Sequence, residues 1–114
     1  MKKLFLAVVL LPLLAHATST SKTSEVLVLN SAATAITRTS SQKGRVAVEI
    51  FNNGPNTIYC AFTSATAIVN KARPIAAGTS WALDAGSNVS IYCIAATADQ
   101  LTTAATIVSE LFAD

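Results

Sequence analysis

Beyond position 16 this chain has no histidine. The one histidine, His16, lies inside what reads as a cleavable leader. Whatever follows lacks the usual general base of hydrolytic triads and the commonest metal ligand. Cysteine is nearly as scarce, with only Cys60 and Cys93. Two thiolates without histidine cannot fill a tetrahedral zinc site. Nor does their spacing make a Cys-x-x-Cys redox pair. Charge is thin at 12% of residues. No cofactor is implied.

The leader has the parts of a bacterial-type export signal. Lys2 and Lys3 supply a basic start, Leu4 to Leu14 an apolar stretch, and Ala15-His16-Ala17 the small residues that precede a cut before Thr18. The apolar stretch is shorter than the roughly 20 residues that span a bilayer. The expected organisation is therefore a signal peptide over 1–17, a flexible Ser/Thr-rich lead-in over 18–25 and one domain over 26–114. A secreted or periplasmic location follows, with no membrane attachment after cleavage.

Cleavage changes the charge. The formal net charge is +2, and Lys2 and Lys3 account for it: 8 − 2 leaves 6 cations against 6 acids. A neutral domain carries no electrostatic footprint for nucleic acid. Low net charge also removes the repulsion that keeps copies apart. Self-association or a protein partner is the expectation.

The body of the chain is written in strands and turns. From Arg45 to Phe51 the pattern alternates, with Val46, Val48 and Ile50 assigned to one face and Ala47, Glu49 and Phe51 to the other. Asn52-Asn53-Gly54-Pro55-Asn56 gathers turn formers before the next run, Thr57 to Thr63, and the pair reads as a hairpin. Further strands are expected at Val26 to Leu29, Thr79 to Leu83, Val89 to Ala95 and Ala104 to Phe112. Lys71 to Pro74 reads as a blunted edge. No convincing helix appears. The fold class is all-β, a small antiparallel sandwich of about six to eight short strands.

Two phrases match: Thr57-Ile58-Tyr59-Cys60 and Ser90-Ile91-Tyr92-Cys93. They place both cysteines at equivalent points of strand-like runs. A disulfide, two buried thiols and a reactive thiol all remain open, and export favours the disulfide. Such a bridge closes a loop of about thirty residues, worth roughly 3–4 kcal/mol in the chain-entropy model.

Candidates for chemistry are few. Glu49 and Glu110 are the strand carboxylates that a paired-acid mechanism would need. The expectation is that they face solvent, as acids in strands usually do, and that the protein is not an enzyme. Asp84 near Gly86 and Asn88 offers too few oxygens for calcium. Tyr59 and Tyr92 have the parity opposite the cysteines, so they are a candidate glycan-stacking platform on one sheet. A packing role is the plainer reading of both rings, and Trp81 is assigned to the core.

Three blocks together carry a resemblance. They are Val48 to Tyr59, Pro74-Ile75-Ala76-Ala77-Gly78-Thr79-Ser80-Trp81-Ala82-Leu83-Asp84, and Ile91-Tyr92-Cys93-Ile94-Ala95-Ala96-Thr97 leading to the closing strand. Their order resembles a small β-sandwich module of tailed-phage virion proteins. There a strand ending in Asn enters a turn, followed by a Pro-hydrophobic-x-Ala-Gly turn and a Tyr-x-Ile-Ala strand. The resemblance spans roughly Arg45 to Leu111. It implies a non-enzymatic structural or attachment domain, often oligomeric, with no catalytic residues. The export signal departs from that pattern and implies a relative acting in the periplasm or outside the cell.

Overall fold

The structure, a computed structural model, describes residues 19–37 and 44–113. The expected signal peptide over 1–17 lies outside them. Eight strands run in chain order: β1 (Ser19–Val26), β2 (Thr34–Ala35), β3 (Arg45–Phe51), β4 (Ile58–Ala61), β5 (Arg73–Ile75), β6 (Ser80–Leu83), β7 (Tyr92–Ala95) and β8 (Thr106–Ala113). They form two four-stranded antiparallel sheets. Sheet A has the order β1-β8-β3-β6 and sheet B the order β2-β7-β4-β5. The all-β sandwich expected from the alternation is the fold observed.

The chain changes sheet at almost every connection; only β4 to β5 stays within one. This overturns the expected hairpin between Arg45–Phe51 and Thr57–Thr63. β3 belongs to sheet A and β4 to sheet B, so Asn52 to Asn56 form an arch between layers. Asn52 makes the arch hold. Its side chain is fully buried and donates to the carbonyls of Asn56 and Ile75, each at 2.8 Å. Its Oδ1 accepts from Gly54 N at 3.0 Å. These bonds tie the arch to β5, whereas a hairpin would return beside β3.

The core is where the two inner faces meet. Val48, Ile50 and Val108 come from sheet A, and Ile58, Cys60, Ile75, Cys93 and Ala95 from sheet B, with Val28, Ile36 and Ile91 from flanking segments. Each fully buried Ile or Val of this set contributes roughly 1.5–3 kcal/mol by leaving water. Trp81 and Leu83 pack against the cluster but stay half-buried.

The largest departures from the expected boundaries are at the first strand. The lead-in expected over 18–25 is instead strand β1 from Ser19 onward, paired along its whole length with β8. Of the strand expected at Val26 to Leu29, Val26 ends β1 and Leu27 to Leu29 are the crossing between layers. There Val28 is buried, and Leu29 O accepts from Ala95 N at 2.8 Å. Backbone pairing, which needs no apolar side chains, holds β1 in place.

Candidate functional site

The polar residues that matter most point inward. β3 carries a bulge between Arg45 and Ala47: Arg45 pairs with Phe112 and Ala47 with Leu111, leaving Val46 as the extra residue. An extra residue reverses the parity of everything before it. Val46, expected beside Val48 and Ile50, is therefore 43% exposed, and Arg45 turns into the protein at 3% exposure. There its Nη1 donates to Glu110 Oε2 at 2.8 Å. Nε donates to Ala85 O at 3.1 Å, and Nη2 to Gly86 O at 2.6 Å and to Val89 O. One guanidinium thus closes the loop that follows β6 onto both β3 and β8.

This corrects the expectation for Glu110. It lies on the inner face of β8 with no exposed surface. Glu49 alone faces solvent as expected. The two carboxylates also cannot cooperate. Glu49 pairs with Ser109, and Glu110 with Val48, so the acids stand on opposite faces of sheet A. A paired-acid mechanism requires both on one side of a substrate.

A second buried cluster joins distant parts of the chain. Gln100, in the loop before β8, donates from Nε2 to Asn52 Oδ1 at 2.7 Å. Its Oε1 accepts from Thr106 Oγ1 at 2.7 Å and Thr106 N at 3.2 Å. Its backbone N donates to Val28 O at 3.1 Å. The loop before β8, the arch and the crossing after β1 are thereby pinned at one end of the sandwich. The sequence alone assigned Gln100 no role, and Thr106 only a place in the closing strand. A lone Gln in a polar loop carries no local signal of burial.

The two predicted tyrosines do share a surface. Tyr59 on β4 stands opposite Pro74 and Ile94, while Tyr92 on β7 stands opposite Ala35 and Ala61. The rings therefore sit diagonally on the outer face of sheet B, behind the cysteines. Both are half-buried, and Tyr59 OH donates to Asn70 Oδ1 at 2.8 Å. Asn70 has a φ of 65°, a left-handed conformation that Asn tolerates better than most residues. Trp81 is elsewhere, at the flank where β5 and β6 approach. Arg73 lies over its ring, 4.9 Å from the centroid, and the Phe62 ring lies with its centroid 6.0 Å away, tilted by 51°. Phe62 falls past the end of β4 and is 52% exposed.

The outer face of sheet A is nearly flat, with one shallow, open depression. Small side chains at Ser21, Ala47, Ala82 and Ser109 leave a depression of about 450 Å³, with Glu49 in its lining. Among the described residues, no group of three or more His, Cys, Asp or Glu residues is placed to hold a metal ion. Asp84 is exposed at its rim.

Comparison with known proteins adds no assignment. No family model matches the chain, and no curated protein is similar to it. Neither comparison links the chain to virion proteins.

Proposed function

We propose that this is an exported, non-enzymatic structural or interaction protein that acts by surface complementarity and associates with itself. One observation carries the reading. The buried polar side chains are committed to holding the sandwich shut, through Arg45–Glu110 and Asn52–Gln100–Thr106, while the outer sheet faces carry mainly small, aliphatic and hydroxyl side chains, with Glu25 and Glu49 on sheet A and Tyr59 and Tyr92 on sheet B. Such a surface is suited to broad, flat contact. The resemblance to virion β-sandwich modules points the same way.

Export is the second part of the proposal. The Cys60–Cys93 disulfide suits an oxidising compartment. Among the described residues no helix is long and apolar enough to cross a membrane. Fractionation with intact-mass measurement tests this part. The expected product lies outside the cytoplasm, begins at Thr18 and carries no free thiol.

Pull-down from that fraction, together with sedimentation of the purified protein, tests the association. A monomer at every concentration that also captures no partner would remove the reading.

The shared outer face of Tyr59 and Tyr92 supports a second reading, a carbohydrate-binding module. Aromatic rings on a flat sheet offer stacking faces to a sugar. A glycan array is its test. Binding abolished by Tyr92→Ala supports it, and a blank array removes it.

A further inference from the structure

We propose that the free edge of β1 is the surface through which two copies of this chain join, strand against strand and antiparallel. The inference rests on the self-association reading above and names the surface that it uses.

A sheet edge is a row of unpaired backbone donors and acceptors, and proteins usually guard it. Three of the four edges here are guarded by brevity. β2 has 2 residues, β5 has 3 including Pro74, and β6 has 4. β1 is different. It is 8 residues long with no proline and no glycine, it pairs with β8 at every position, and among the described residues nothing covers its other side. Its one cation does not guard it either. Lys22 stands opposite Glu110, on the core side of the sheet, with its ammonium over the Phe112 ring 5.7 Å from the centroid. The strand carries one cation and one anion, Lys22 and Glu25.

A second copy fits this edge better than an arbitrary strand because the edge is compatible with itself. Antiparallel pairing about a two-fold axis normal to the sheet keeps the two outer faces on the same side. Directly opposed residues must then share parity. Placing Thr23 on the axis pairs every residue from Thr20 to Val26. Lys22 then faces Ser24, and Glu25 faces Ser21, with no like charges opposed. Shifting the axis to Lys22 sets lysine against lysine, and shifting it to Ser24 shortens the overlap. The joined sheet would contain both sets of four strands without interruption.

Thr23 is the position to test. It lies exposed on the outer face, where its hydroxyl pairs with that of Ser109 at 3.4 Å. Both Thr23→Glu and Thr23→Lys put like charges on the axis. The measurement is sedimentation velocity of the exported protein over a concentration series, with thermal melts to verify folding. Dimers are expected for the wild type, roughly three- to five-fold weaker for each variant. An equimolar mixture of the two variants should recover wild-type association. Wild-type dimers that neither variant weakens would overturn the edge proposal while leaving self-association standing. A wild-type monomer would also overturn it, including one that captures a different protein through this edge. The partner pull-down then decides the broader reading separately.

Discussion

Arg45 and Glu110 meet at 2.8 Å inside the sandwich, one from each of two neighbouring strands, and both are removed from solvent. The pair exists because of a single extra residue, Val46, which turns Arg45 toward the interior. The guanidinium also serves three carbonyls of the loop from Ala85 to Val89. Removing its charge partner strands a buried cation.

Glu110→Gln is therefore expected to destabilise the fold by roughly 3–5 kcal/mol, as breaking a buried pair does. Glu49→Gln, on the solvent side of the same sheet, should change stability by less than about 0.5 kcal/mol. Urea unfolding of both variants provides the comparison. Equal effects would mean that the interior pair contributes nothing special. Arg45→Met with Glu110→Leu should recover only part of the loss, because the loop carbonyls lose their donor.

The cysteines offer a second expectation. Cys60 and Cys93 stand directly opposite on β4 and β7, with Cα atoms 4.1 Å apart and a sequence separation of 33. A double Cys→Ala replacement frees a loop of that length in the unfolded chain. The expected cost is about 3–4 kcal/mol. In a domain of this size each 1 kcal/mol moves Tm by about 4–8 °C. Calorimetry of the oxidised protein and the double variant should show that drop, and reductant should reproduce it in the wild type alone.

Gly54 gives a third. A Cβ there would lie 2.3 Å from Gln100 Nε2 and 2.9 Å from its Cγ. Gln100 is buried and bonded to Asn52 and Thr106, so it cannot swing aside without stranding those groups. Gly54→Ala should cost roughly 1–3 kcal/mol. Combined with Gln100→Ala, the two losses should fall well short of additive. Gly78 makes the contrast, since nothing lies within 4 Å of an added Cβ and only its φ of +77° opposes substitution. Gly78→Ala should cost about 1–2 kcal/mol, through backbone strain alone.

Trp81 is the single tryptophan of the chain, so its fluorescence reports one place. Phe62→Ala and Arg73→Ala should each shift its emission while costing less than about 1 kcal/mol. An unchanged spectrum in both would contradict the contacts at 6.0 and 4.9 Å.

Much of this fold is legible in the residues themselves. The period of two at Val48 and Ile50, the turn formers from Asn52 to Asn56 and from Asp84 to Asn88, and the matched Ile-Tyr-Cys phrases mark strands, breaks and the cysteine pair without any coordinates. Alternation works because a strand presents successive side chains to opposite faces, a purely local property of extended backbone. The same locality set Tyr59 and Tyr92 each on the face opposite its neighbouring cysteine, while the pairing of β4 with β7 gave them a common face.

What local pattern cannot hold is which strand lies beside which. Pairing joins residues far apart in the chain, so only the assembled layers decided that Asn52 to Asn56 form an arch and that polar Ser19 to Val26 form an edge strand. The bulge at Val46 belongs to the same class, because it exists only against β8. That one slip carried Arg45 inward to a carboxylate 65 residues away, whose burial no reading of single residues foresaw.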